Sequence, residues 1–322
     1  MRPSWGAIDL TQVIPSATSM DTLGLFARSA SVLEKVMGAW EAAEKSPLLQ
    51  GNFSLPKKII YPVRFSHLGG RSGKGVSGII LMTDCSQVEW YPVNNSVAQN
   101  LIDNWLANMT QAMGMEIVHQ NVTTLFHETI NQNDTLATYT SDFGSLTRYD
   151  NWNLFGKQFV ADYQARFDGR WPEADNQVLT AWRIAQTYPD YRKQWNEDRL
   201  VIFKNFINDK VIPYNEETCT EGLWVYQIED TGGGVPEYRD VLNYDYFPPF
   251  KPMRAASIAP FAKLVDITVP IGVMTYDSLI SLVSSSKNVH LAQGTNLVCL
   301  NSAKRSLLLL SVLLHIGAAI LF

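Results

Sequence analysis

The thirty residues after Met1, RPSWGAIDLTQVIPSATSMDTLGLFARSAS, constrain this chain more than any other stretch. Pro3, Gly6 and Pro15 punctuate a short apolar run from Ile8 to Ile14. A polar turn follows, then Asp21-Thr22-Leu23-Gly24, then an amphipathic pattern. Prolines and glycines fix or free backbone angles at set points, so a run this dense in them specifies one path and not a frayed end. The segment reads as the interior of a domain, with partners expected on several sides.

Composition permits such a domain. The chain has 322 residues, 46% of them hydrophobic and 18% charged, enough to bury a sizeable core and too apolar for global disorder. The net charge of −5 and the scatter of Lys and Arg argue against a nucleic-acid surface. Cys85, Cys219 and Cys299 lie far apart with no CxxC pair, so neither a zinc cluster nor a disulfide framework is expected. The odd count suits a reducing compartment. Five Asn-x-Ser/Thr sequons begin at Asn52, Asn94, Asn108, Asn121 and Asn133, yet no signal peptide precedes them. The cytoplasm is the expected location, with membrane anchoring or secretion as alternatives.

Periodicity places the elements. Ala30, Leu33, Met37 and Trp40 continue a stripe begun at Phe26 and predict a helix over 23–43, ended by Pro47 and Gly51. Residues 57–63 (KKIIYPV) read as a strand. A helix over 96–115 carries Ile102, Leu106, Met109 and Met113, followed by a strand over 116–122 and a helix over 125–131. Phe155, Phe159, Tyr163 and Phe167 line one helical face, stopped by Gly169-Arg170-Trp171-Pro172. Helices over 173–188 and 191–207 follow, then a strand over 223–228, a Gly turn at 231–234, a Tyr/Pro loop over 241–252 and a strand over 267–271. Strands alternating with long helices predict an α/β fold, a mixed sheet covered by helices, in a single domain over 1–305. The apolar run 306–322 is slightly short of the about 20 residues a spanning helix needs. It fits a buried terminal element, a tail anchor or removed signal behind Lys304-Arg305, or a gene-model artefact.

Chemistry is harder to find. The Gly-rich run from Gly69 to Gly78 lacks the phosphate-loop spacing, because Leu68 stands where the first Gly is needed and Gly75 where Ser or Thr is needed. Ser72, Lys74 and Ser77 form a Ser/Lys/Ser cluster with no orienting neighbour, in a loop expected to be wet. His67, His119, His127, His290 and His315 have no metal spacing, and no G-x-S-x-G elbow occurs. Asp142, Glu173 and Asp175 are carboxylates that nothing ranks above the others. No residue is assigned a catalytic, cofactor-binding or metal-ligating role, and no cofactor is expected.

Several blocks resemble the amidase-signature family in its divergent fungal form. Arg2-Pro3-Ser4-Trp5-Gly6 resembles the family's K-P-T-x-G, and Ser19-Met20-Asp21-Thr22-Leu23-Gly24 with Ala27-Arg28 resembles S-x-D-x-x-G-x-x-A-R. Residues 56–62 resemble P-K-x-I-x-Y-P, 159–172 resemble F-x-x-x-Y-x-x-x-F-x-G-R-x-P, and 267–272 match I-T-V-P-I-G. The resemblance covers about two-thirds of the chain. It implies a mixed sheet wrapped by helices and amide hydrolysis of a small-molecule substrate by a Ser–Ser–Lys triad. In the family that triad precedes the K-P-T block, so it carries over onto no residue here, and an N-terminal catalytic half is expected to be missing. Open strand edges and poor solubility would follow.

Two further readings come with the resemblance. Residues 66–88 interrupt a family-like stretch with the texture of translated intron. Similar fungal proteins occur in polyketide pigment clusters, some labelled scytalone dehydratase-like, which implies a lyase as the alternative activity. A non-catalytic remnant or binding protein is the third. Partners are limited to a small-molecule substrate and a membrane contact through the tail, with no nucleic acid.

Overall fold

The computed structural model describes residues 1–43, 54–63, 92, 96–130, 133–227, 257–276 and 289–299. Its frame is a five-stranded mixed sheet in the order β2-β1-β5-β7-β6. The strands are β1 (Lys58–Pro62), β2 (Glu116–Gln120), β5 (Gly222–Gln227), β6 (Val265–Tyr276) and β7 (Val289–Cys299). The small pair β3 (Tyr214–Asn215) and β4 (Cys219–Thr220) forms a separate antiparallel ribbon. β1 lies parallel to both β2 and β5, with Ile59 opposite Ile117 and Ile60 opposite Trp224. β7 runs antiparallel to β5 and β6.

β1 and β5, which pair in parallel, are apolar at most positions because both faces are covered, the usual state of parallel strands. Side chains alternate between the faces. Ile60, Trp224 and Tyr226 enter one core with Val122, Phe126, Phe143, Phe203 and Phe206. Ile59, Tyr61, Leu223 and Val225 enter the other, with Met37, Ile102, Trp105, Leu106 and Met109. The first core is built on α3 (Val122–Thr129), α4 (Leu136–Thr140), α5 (Gly144–Asn151), α8 (Asp190–Phe206) and α9 (Ile258–Ala262). The second is built on α1 (Ala30–Ala43) and α2 (Ser96–Met113), whose Ala98, Ile102, Trp105, Leu106 and Met109 form one stripe. The result is helices on both faces of one sheet, as expected for an α/β architecture.

Most expected elements form, with shifts that have physical causes. The helix expected from residue 23 begins at Ala30. Residues 22–27 stay out of helix because Leu25 N donates to Met1 O at 2.9 Å and the Met1 amino group donates to Leu25 O at 2.7 Å. Phe26 therefore leaves the stripe and is fully exposed. The helix expected over 125–131 starts earlier, at Val122, because Asn121 caps it by accepting from Thr124 N at 3.0 Å. The last family-like strand is longer than expected and shifts register between Pro270 and Gly272, where proline has no amide hydrogen to give the ladder.

The aromatic face expected over 155–167 is present as a ladder, with Phe155–Phe159 centroids 5.4 Å apart and Tyr163–Phe167 centroids 4.4 Å apart. It is assembled from a π-helical turn, Trp152–Gly156, and α6 (Lys157–Arg166). The turn brings Gly156 under Trp182 of α7 (Asn176–Ala185), so close that a β-carbon there would lie 2.7 Å from Trp182 Cε2. Trp182 is 3% exposed and cannot move aside. Gly156→Ala is expected to cost about 1–3 kcal/mol by overpacking, read as a lower thermal midpoint; an unchanged midpoint would show that the indole yields.

At the sheet's ends, β2 is largely solvent-facing, and Val118 is 36% exposed. On the far side, β6 is bridged only by Arg2 among the described residues. No described helix is long and apolar enough to cross a membrane. The Ser72/Lys74/Ser77 cluster, the 66–88 interruption, the turn at 231–234, the loop at 241–252 and the tail at 306–322 lie outside the described residues.

Candidate functional site

The opening segment is pinned to the fold at almost every turn. Arg2 pairs with Asp266 through both backbone bonds, at 2.7 and 2.9 Å. Its guanidinium runs inward, with Nη1 donating to Leu264 O at 2.6 Å and Nη2 donating to Met20 O at 2.8 Å. Burial pulls the Arg2 pKa down, and the Asp266 charge partly offsets this. Asp266 Oδ2 in turn accepts from the buried Tyr226 hydroxyl at 2.6 Å. These contacts join residue 2 to the last family-like strand.

The 15–22 turn is held from the other side. Asp21 accepts from Ser16 N at 2.8 Å and Ala17 N at 2.9 Å, closing the loop on itself. Asp150 of α5 accepts from Thr18 N at 3.0 Å and Thr18 Oγ1 at 2.8 Å, and pairs with Lys193 Nζ of α8 at 2.8 Å. Asn151 donates to Pro15 O and accepts from Trp182 Nε1, both at 2.7 Å. Trp5 donates to Thr18 O at 3.0 Å, and Lys263 sits 3.5 Å above its ring. Surface loops seldom carry so many bonds, and this one is fixed as firmly as an element.

Asp150→Ala removes an acceptor for two donors in this loop and leaves Lys193 without it. A loss of about 1.5–3 kcal/mol is expected, as for hydrogen bonds to a charged group. Amide exchange at Thr18 should accelerate with it. Unchanged protection at Thr18 would show that the loop holds without α5.

Between the loop and β6 lies an open cleft of about 380 Å³, lined by Met1, Arg2, Met20, Asp21, Thr22, Gly24, Phe26, Asp266 and Thr268. It offers a guanidinium, two carboxylates and two hydroxyls. The hydroxyls of Ser19 and Thr22 are buried with no hydrogen-bond partner among the described residues. Each such group costs about 1–3 kcal/mol unless something pairs with it. Among the described residues the lining includes no Ser, Cys, Lys or His, the groups of a Ser–Lys or Cys–His pair. The cleft can bind and orient polar groups.

The residues singled out from sequence fall elsewhere. Asp142 is a structural ion-pair member, accepting from Arg192 Nε at 2.7 Å and Nη2 at 2.5 Å. Glu173 and Asp175 are exposed. His119 is exposed and edge-on to Tyr61 at 5.1 Å, and His127 is exposed on α3. No group of three His, Cys, Asp or Glu that could hold a metal exists among the described residues. Sequence reasoning missed the Arg2–Asp266–Tyr226 and Thr18–Asp150–Lys193 linkages. The only advance signal was the polar density of residues 15–22.

The fold has solved counterparts. The chain is similar to allophanate hydrolase from Kluyveromyces lactis, at 15% identity and a TM-score of 0.57, with 99% of this chain aligned to 42% of that one. It is also similar to 6-aminohexanoate cyclic dimer hydrolase, at 12% identity and a TM-score of 0.53, over 99% of this chain and 60% of that one. A bacterial aryl acylamidase described as belonging to the amidase-signature family is more distant, at 11% identity and a TM-score of 0.41, over 83% of this chain and 46% of that one. No protein-family model matches the sequence. The chain therefore has the fold of part of the two hydrolases and spans about two-fifths to three-fifths of their length.

Proposed function

We propose that this chain is the supporting part of an amide-cleaving C–N hydrolase, whose nucleophile and base lie in the part of that fold this chain does not span. The observation that carries the reading is the shared fold: nearly the whole chain superposes on less than two-thirds of each of two hydrolases named for C–N substrates. The sequence blocks at residues 2–6, 19–28 and 267–272 point the same way, and the structure bonds Arg2 of the first to Asp266, the residue just before the last. In this reading the loop of residues 15–24 and β6 form one wall of the active centre. The orphan hydroxyls of Ser19 and Thr22 would then pair with the segment that brings the reacting groups. Preorganised donors and a positioned base are what amide cleavage needs, and a rigid wall is how a fold holds them.

A lyase of the dehydratase kind would want a His/Asp dyad in an aromatic pocket. Neither described histidine side chain lines the cleft, so this alternative gains no support. The test is genetic and then kinetic. In-frame DNA upstream of the Met1 codon is expected to encode a Gly/Ser-rich segment with two Ser and an earlier Lys. A protein including it should hydrolyse simple amides, and changing the nucleophilic Ser to Ala should abolish turnover. Lack of such a segment, or activity indifferent to the Ser→Ala change, would overturn the reading.

A further inference from the structure

Three of the five sequons lie among the described residues, and the fold treats them differently. N-linked modification needs the tripeptide and a native surface that leaves the asparagine and its sugar in solvent, most simply in a loop. Asn121 is half-buried and spends its Oδ1 capping α3. Asn108 is exposed but sits deep inside the continuous helix α2, whose opposite face is core. Asn133 lies in the bend between α3 and α4, and both it and Thr135 are exposed. In the same bend, Asp134 faces Arg199 of α8 at 3.9 Å, and Thr135 caps α4 by accepting from Thr138 N at 3.1 Å. That cap uses the Thr135 hydroxyl and not the Asn133 side-chain amide to which a sugar would be joined.

We propose that Asn133 is an N-glycosylation site, and that the chain matures where an oligosaccharyl transferase acts. The Asn133 amide nitrogen attacks the anomeric carbon of a lipid-pyrophosphate-linked oligosaccharide. A C–N bond forms, the C–O bond to pyrophosphate breaks, the lipid pyrophosphate leaves, and the amide proton passes to the transferase. The proposal is independent of the hydrolase reading, since it concerns the bend and not the cleft.

The test uses the native protein from the cells that make it, treated with peptide N-glycosidase in heavy-oxygen water and mapped by mass spectrometry. A labelled Asp at position 133 and an unlabelled Asn121 are expected. Asn133→Gln should lose one glycan's worth of the mobility shift on glycosidase treatment. An unlabelled position 133 would overturn the proposal, whether the remaining sequons are empty or Asn108 is occupied instead.

Discussion

Phe143→Ala is expected to remove about 3–5 kcal/mol of stability, the range for deleting a buried aromatic ring. Phe143 is fully buried where α4, α5, α8 and α9 converge. Its ring lies 5.1 Å and perpendicular to Phe261, 6.0 Å from Phe203 and 6.2 Å from Tyr139. Edge-to-face rings gain about 0.5–1.5 kcal/mol per pair beyond area burial. Those neighbours belong to different helices, so collapse into the vacated space would have to move several elements at once. That places the cost at the upper part of the range. Phe143 has ordinary helical angles, φ −60° and ψ −28°, so the substitution adds no backbone strain. Urea unfolding should show a lower midpoint at unchanged slope. A loss below about 1 kcal/mol would mean this core is loosely packed.

The second large effect concerns Arg192→Ala. The guanidinium makes a two-pronged bond to Asp142 and lies 4.3 Å over the Tyr188 ring. The Asp142 side chain is 12% exposed and that of Arg192 29%. Asn196, fully buried, also donates to Asp142 at 2.8 Å and to Ser145 Oγ at 2.9 Å. Removing one partner of a buried pair costs about 3–5 kcal/mol. Arg192 is partly hydrated, which brings the expected loss to about 2–3 kcal/mol.

The pH dependence has a definite sign. Burial pushes the Asp142 pKa up, but bonds from Arg192 and Asn196, the Arg192 charge and Ser145 outweigh it and hold the carboxyl below its ordinary value. A lowered folded pKa stabilises fully above the unfolded value of about 3.9 and is lost as pH falls through the lower one. Without Arg192, burial gains the upper hand and lifts the folded pKa above the unfolded one, so the sign reverses: the contribution of Asp142 should be lost as pH rises through the raised pKa and recovered in acid. The pair Asp142→Asn with Arg192→Met should be milder than Arg192→Ala alone, because no buried charge is left behind. Equal acid profiles for Arg192→Ala and parent would refute the account of this network.

What was legible in the sequence was local. The run KKIIYPV announced a strand, and the Ile102, Leu106, Met109 spacing announced the core stripe of α2. What was not legible depends on residues far apart. Nothing in residues 22–27 says that Leu25 will pair with Met1 and stop α1 from starting early. β7 reads VHLAQGTNLVC, with a polar Gln-Gly-Thr-Asn centre that hides its strand period. It becomes a strand because β5 and β6 flank it on both sides. The same holds at the cleft. Arg2 and Asp266 are 264 positions apart, and Thr18 and Asp150 are 132 apart. The blocks at residues 2–6 and 267–272 could be seen separately, but not that Arg2 pairs with Asp266 beside the second.

The most direct measurement is amide turnover by the 322-residue chain alone, compared with a variant carrying Ser72→Ala, Lys74→Ala and Ser77→Ala. Substrates should include a ureido carboxylate, a cyclic amide and an anilide. Neither protein is expected to turn over substrate above buffer, because no Ser, Cys, Lys or His lines the cleft among the described residues. Hydrolysis by the parent chain, above all if the triple variant loses it, would contradict the claim that this polypeptide supplies the wall and not the reacting groups.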